Sequence, residues 1–209
     1  MVPMLMPRTA PVPAPRGRIG AGFSPAPHRY HLYLSTGCPR SLRVRTALAL
    51  LGLTGCVGTT LLGPPATHAA LRRAYEAAGH HYDGALAVPA LCDTWSGRVV
   101  SNHTPDILDD LAVRLAGRPD LSPPVPARHA AAVRALLDGA APHAERSAAL
   151  DFLDRLLALR PYALGDRPTL ADVDLWVALL DPTVLPAAGP HARSYVRRLR
   201  AHPAFGAAA

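Results

Sequence analysis

The chain has no lysine: all 22 of its basic residues are arginine. Aromatic residues are also scarce, at 5%, so any core must be built mainly from Ala, Leu and Val. Three cysteines, Cys38, Cys56 and Cys92, are too few and too odd in number for a disulfide framework. They point to a reducing compartment and a cytoplasmic protein. No run of about 18 apolar residues occurs, so no membrane span is expected. The opening residues, Met1 to Arg18, lack the continuous apolar stretch of a secretory signal. A formal net charge of +7 invites a nucleic-acid reading. The arginines, however, are spread along helical stretches without interleaved stacking aromatics, and solvated helix faces account for them; no nucleic-acid partner is expected. His80-His81 has no companion at ligand spacing, so no metal site is expected either.

What is present suits a two-part globular chain. Apolar residues make up 49% of the 209, enough for a sizeable core. Residues 1–27, rich in Pro, Gly and Arg, read as a disordered lead-in. Tyr30 to Ser35 is a strand candidate, Thr36-Gly37 a turn, and a helix opens at Pro39, where proline loses no hydrogen bond. In that helix Leu42 and Ala49 read as the apolar side, with Leu53 just beyond and Arg43 and Arg45 opposite. Cys56 to Leu62 reads as a second strand and Thr67 to Ala78 as a helix, with a loop at residues 80–84. Val88 to Cys92 and Arg98 to Ser101 form a hairpin pattern, and a helix over about 105–115 closes this half. The order strand, helix, strand, helix, strand, strand, helix is that of a thioredoxin-like domain, placed at 28–117.

Residues 118–126, with Pro119, Pro123, Pro124 and Pro126, form the linker. The rest, 127–209, is read as a helical domain with helices near 127–138, 144–159, 170–180 and 190–201. Thr169-Leu170-Ala171-Asp172 is a capping-box variant that starts the third of these. Val173, Trp176, Val177 and Leu180 then repeat at helical spacing, so Trp176 belongs to the core. Asp172 caps, and Asp174 faces elsewhere on the same helix. The fold class expected is therefore α/β plus all-α, a four-stranded mixed sheet with helices followed by a helical domain.

The chemistry concentrates at Cys38-Pro39-Arg40-Ser41. A thiol at a strand-to-helix junction meets unpaired backbone N–H groups and the positive end of the helix dipole, which lowers its pKa. Ser41 can donate a hydrogen bond from the next turn, and Arg40 or Arg43 adds positive charge. The second cysteine of a Cys-x-x-Cys pair is replaced by Ser41, which favours a mixed disulfide with an external thiol over internal cycling. The competing reading is a cysteine that merely packs. Cys56 and Cys92, both inside expected strands, read as small core hydrophobes.

Tyr30-His31-Leu32-Tyr33-Leu34-Ser35, followed by Gly37-Cys38-Pro39 and Arg43, resembles the glutathionyl-hydroquinone reductases, the Xi class of glutathione transferases. Val88-Pro89-Ala90-Leu91 and Val99-Val100-Ser101-Asn102 look like the second signature of that family. Leu164 to Asp172 resembles the C-terminal folding motif of the superfamily. The resemblance implies catalysis by Cys38, a cis Pro89, and a thiol held by Arg40, Ser41, Val88, Pro89, His103 and Thr104. It also implies a quinone-like or other electrophilic small-molecule acceptor and a homodimer. Two positions depart from the family: His103-Thr104 stands where it has Glu-Ser, and Arg40 where it has Trp. His103 cannot supply the anion that meets a glutamyl ammonium. The thiol expected is thus glutathione or another low-molecular-weight thiol, with mycothiol a candidate.

Taken together, these residues predict a thiol-dependent transferase or oxidoreductase that works through a Cys38 mixed disulfide. Two alternatives come from the same residues. One is a secondary-metabolite conjugating or isomerising enzyme, suggested by the short helical half; the other is a non-catalytic binding protein, suggested by His103.

Overall fold

The computed structural model describes residues 15–63, 68–78, 86–137 and 141–206. Two two-residue strands, β1 (Arg18–Ile19) and β2 (Gly22–Phe23), precede the main sheet. That sheet contains β3 (Tyr30–Ser35), β4 (Gly58–Leu62), β5 (Ala90–Asp93) and β6 (Arg98–Ser101) in the order β4-β3-β5-β6. β4 runs parallel to β3, whereas β5 is antiparallel to both β3 and β6. Helix α1 (Pro39–Leu50) joins β3 to β4, α2 (Ala69–Ala77) follows β4, and α3 (Thr104–Asp109) follows β6 and continues as a π-helical turn over Asp110–Leu115. This is the expected mixed thioredoxin-like sheet. The helical half comprises α4 (Ala127–Leu137), α5 (His143–Leu159), α6 (Leu170–Leu179), α7 (Pro190–Ala201) and the short α8 (Pro203–Gly206).

Alternation explains β3: Tyr30, Leu32 and Leu34 are buried while His31, Tyr33 and Ser35 face the other side, half-buried. Gly37 follows with φ +72°, a left-handed turn that spares any side chain there the usual steric cost. Helix α1 is wedged against α3, α6 and α8. Its core face is Val44, Ala47 and Leu48, all fully buried, rather than the Leu42 and Ala49 side, which is only half-buried. The reason is tertiary. A helix packed on more than one side has no single apolar stripe for the sequence to display. One continuous apolar cluster runs from Leu32 and Val44 through Leu153 to Trp176, Tyr195 and Phe205, so the two halves share a core. A smaller cluster, with Leu71, Tyr75, Ala90 and Val99, lies under α2.

Two readings need correction. Residues 15–27, expected to belong to a disordered lead-in, pack against β6 and α3; residues 1–14 lie outside the described residues. The Gly17 N–H donates to the Val100 carbonyl at 2.8 Å, so closely that a Cβ on Gly17 would meet that oxygen at 2.7 Å. Arg16 and Arg18 pair with Asp106, Asp109 and Asp110, and Ile19 is 1% exposed. Composition counted Pro and Arg as disorder-promoting, but three aspartates on the α3 segment offset the arginines, a match visible only in three dimensions. Cys56 is the second correction. It lies in the turn before β4, half-buried, not inside the strand. The loop expected at residues 80–84 lies outside the described residues.

In the helical half the capping box forms: the Asp172 carboxylate accepts from the Thr169 N–H at 2.8 Å. The same carboxylate accepts the Ala163 N–H and the Tyr195 hydroxyl, each at 2.8 Å, and is fully buried. Asp174 turns the other way and pairs with Arg43 of α1 at 2.7 Å. Trp176 is fully buried against Phe205.

Candidate active site

Sheet topology brings the chemistry to one place. β3 and β6 both run antiparallel to β5, so their C-terminal ends share one edge of the sheet with the start of β5. Cys38 follows β3, His103 and Thr104 follow β6, and Val88-Pro89 leads into β5, with Ala90 paired to Tyr33. Residues separated by up to 66 positions in the chain thus meet at one end of the sheet. The Val88-Pro89 peptide is cis.

Cys38 is the N-cap residue of α1, half-buried, and its carbonyl accepts from the Leu42 N–H at 2.9 Å. Burial pushes its thiol pKa up, but hydrogen bonds from Ser41 and Arg40 outweigh that and bring it below its ordinary value. Ser41 is buried, and its oxygen accepts the Ser35 N–H at 3.0 Å, which fixes the oxygen and leaves its proton to donate. Arg40 is exposed. Cys92 differs sharply: burial, with the charge of Asp93, pushes its thiol up to about 12, so it is inert as a nucleophile.

A cavity of 640 Å³ opens at Cys38 and reaches across to the helical half. Cys38, Ser41 and Leu42 form one wall; Leu137 of α4 with Val177 and Leu180 at α6 form the other. Arg40, Val88, Pro89, His103 and Thr104 do not line it. The expected site residues therefore fall into two groups around the thiol, one bounding an apolar chamber and one along the sheet edge.

Thr104 is the more telling of the second group. Its hydroxyl is buried, opens the first turn of α3 and has no partner among the described residues. A buried hydroxyl without a partner costs roughly 1–3 kcal/mol, and an anion at a helix start would satisfy it. His103 instead turns its Nδ1 toward Asp106, 3.2 Å away, a carboxylate already engaged by Arg16. Two further positioning residues were not among the expected site residues, although Asn102 belongs to the signature that ends β6. Asn102 donates to the Tyr75 hydroxyl at 3.0 Å, and that hydroxyl donates to the Ala87 carbonyl at 2.8 Å, tying α2 and β6 to the segment before Pro89. Tyr75 carried no signal, since its partner is a backbone carbonyl contacted only after folding.

Comparison with known proteins follows this geometry. Residues 143–198 match the family of the glutathione S-transferase C-terminal domain. The chain is 27% identical, over 79% of its length, to glutathionyl-hydroquinone reductase PcpF of Sphingobium chlorophenolicum, and it spans 66% of that relative. Among solved structures it matches the Xi glutathione S-transferase of Phanerochaete chrysosporium with a TM-score of 0.70 at 22% identity, covering 97% of this chain and 88% of that one. It matches glutathione-bound YqjG, a glutathione transferase homolog from Escherichia coli K-12, with a TM-score of 0.68 at 20% identity, covering 90% and 78% respectively. The fold is that of the glutathione transferases, and residues 143–198 carry the match to their C-terminal domain. As in the expected architecture, a thioredoxin-like sheet precedes a helical domain, and the Cys38 cavity lies between them. No helix among the described residues is long and apolar enough to cross a membrane.

One buried group in the helical half gives a pH prediction. His129 on α4 is 1% exposed and neither ring nitrogen has a partner among the described residues. Burial lowers its pKa from the ordinary 6.5; Asp172 opposes that and Arg160 adds to it. Burial likewise lowers that of His31. The folded state therefore resists protonation, and below about 6.5 the unfolded state binds more protons, so stability present above that pH is lost as pH falls through it. Thermal melts from about pH 8 to about pH 5.5 should show the midpoint falling by a few degrees. His129→Leu should flatten that slope, and an equally steep slope in the variant would refute the assignment.

Proposed function

We propose that this chain is a thiol-dependent transferase and reductase in which Cys38 acts as the nucleophile. The observation that carries the reading is the Cys38 thiol, its pKa lowered by Ser41 and Arg40, opening onto an apolar cavity shared by both halves. The Cys38 thiolate attacks the sulfur of a thioether formed between the low-molecular-weight thiol and an acceptor. The carbon–sulfur bond breaks, the acceptor carbon leaves with the electron pair and takes a proton, and a mixed disulfide remains on Cys38. A second thiol molecule, as thiolate, attacks the outer sulfur of that disulfide. It leaves as the symmetrical disulfide and restores the Cys38 thiolate.

Glutathione is the first candidate thiol, supported by the glutathione-bound relative and by the buried hydroxyl of Thr104. Val88 at the cis peptide would offer its backbone to the cysteinyl portion. Thr104 would meet a carboxylate, with His103 beside it and Arg40 and Ser41 flanking the sulfur. The reductase name of the curated relative supports a quinone-like acceptor in the apolar cavity. One observation favours a second reading of the thiol: Asp106, the carboxylate nearest His103, is engaged by Arg16. A thiol without a glutamyl ammonium, such as mycothiol, needs no anion there.

A thermal-shift titration with each thiol tests the reading. A ligand at 100 times its dissociation constant stabilises the native state by about 2.7 kcal/mol, several degrees for a chain of this size. Glutathione or mycothiol should produce such a shift, and Thr104→Val should diminish it. No shift with either thiol would leave a binding protein without thiol chemistry as the better account.

A further inference from the structure

The arm at residues 15–27 reaches the end of the sheet where the thiol chemistry lies. The Gly17 N–H donates to the Val100 carbonyl at 2.8 Å and the Asn102 N–H to the Pro15 carbonyl at 3.3 Å, with Arg16 bridged to Ser101 between them. The arm therefore lies along the outer side of β6 and delivers Arg16 to the start of α3. There the Arg16 Nε and Nη2 donate to the Oδ2 and Oδ1 of Asp106 at 2.5 and 3.2 Å. The His103 Nδ1 is 3.2 Å from the same Oδ1, and the Arg18 Nη1 is 3.8 Å from it. Both oxygens of Asp106 are thus occupied. Burial raises its carboxyl pKa, but the bonds from Arg16 and His103 outweigh that and hold it below the ordinary value, so it is ionised at neutral pH. The Arg16 and His103 side chains remain open to solvent, at 55% and 39%.

Given the thiol site proposed above, we infer that Arg16 sets its specificity: by occupying Asp106 it selects a thiol whose distal end carries no ammonium. The ends of β3 and β6 are separated by β5, two strand spacings or about 10 Å. Extended chain covers that distance in about three residues. A peptide-like thiol with its sulfur at Cys38 and its body across the sheet edge therefore ends beside His103 and Asp106. An ammonium brought there sheds water and needs an anion in return. Asp106 is the carboxylate that His103 touches, and the Arg16 guanidinium both fills it and repels a second cation. A carboxylate or hydroxyl-rich end meets N–H donors instead and loses nothing.

Glutathione and its glutaryl analogue, which differ only in that the distal ammonium is replaced by hydrogen, test this when titrated calorimetrically into the full chain. The native chain should bind the analogue at least as tightly as glutathione. Arg16→Ala releases an Asp106 oxygen, while the backbone bonds of the arm and the pairs of Arg18 with Asp109 and Asp110 keep it docked. The variant should shift the preference toward glutathione about tenfold, the scale of one charge-assisted contact. Asp106→Asn in the Arg16→Ala background should abolish that shift, and Arg16→Lys, which keeps the charge, should not produce it. A ratio of two affinities in one protein does not respond to a mere loss of stability. A native chain that already favours glutathione tenfold, an Arg16→Ala ratio equal to the native one, or a shift that survives Asp106→Asn would overturn the inference and leave the thiol reading intact. Failure of both tripeptides to bind the native chain and Arg16→Ala would also overturn it, and the mycothiol titration described above then decides the thiol reading separately.

Discussion

Cys38→Ser should eliminate reductive thiol transfer, with a fall in kcat of at least about 10³-fold, the scale seen when a nucleophile is removed. A serine hydroxyl at the same N-cap position would still cap α1 and would still be flanked by Ser41 and Arg40. Its pKa lies so far above neutrality that those hydrogen bonds cannot produce a useful anion, and no disulfide can form at oxygen. Stability should change little, since the Cys38 side chain is not among the fully buried groups and serine is a favoured cap. Comparing melting curves and steady-state rates on one preparation separates the two effects. Alkylation of the native thiol followed against pH should inflect below its ordinary value of 9.0. An inflection at or above that value, or a serine variant that retains thiol transfer, would remove Cys38 from the mechanism. A conjugation reaction that survives the serine change would instead favour attack by the bound thiol itself on the acceptor.

Asp172→Ala is expected to be the most destabilising single change in the helical half. The carboxylate is fully buried and receives the Thr169 N–H, the Ala163 N–H and the Tyr195 hydroxyl, each at 2.8 Å. Truncation removes the acceptor of these three buried donors and of the Thr169 hydroxyl, which donates at 3.2 Å, each loss costing roughly 1–3 kcal/mol with incomplete additivity. A total of about 3–5 kcal/mol is expected, the range for breaking a buried charged network. For a chain of this size that lowers the melting midpoint by on the order of 10 °C. Asp172→Asn keeps the acceptor oxygen but loses its charge, and should lie between wild type and alanine. Tyr195→Phe removes one donor and so should cost less than Asp172→Ala; in the alanine background it should cost less still, because the hydroxyl has already lost its acceptor. A Tyr195→Phe penalty equal in both backgrounds would mean that the hydrogen bond contributes nothing. The burial of Tyr195, together with the neighbouring Asp172, also holds its phenol pKa well above the ordinary range, so the network carries its proton on tyrosine throughout the working pH.

These two residues were legible in the sequence for different reasons. Asp172 announces itself through Thr169 three positions earlier, since a capping box is a local arrangement written in adjacent residues. Its contacts to Ala163 and Tyr195 are not local, and nothing in the sequence marks them. Cys38 stands out because Pro39 fixes a helix start and β3 alternates cleanly before it, which together place a thiol at a helix N-terminus. Arg43 was read as extra positive charge near that thiol. The structure shows it committed to Asp174 on α6, a partner 131 residues away. The arm at residues 15–27 failed for the same reason: its arginines are ordered by Asp106, Asp109 and Asp110, some 90 residues downstream.

Local chemistry therefore determined the element order, the cysteine at the strand-to-helix junction and the start of α6, because turns, caps and alternation involve neighbours only. The tertiary structure alone decided which α1 face is core, where the arginines find their partners, and that an apolar chamber joins Cys38 to Val177 and Leu180. Burial and ion pairing depend on distances between segments far apart in the chain, and those distances exist only once the sheet order and helix packing are set.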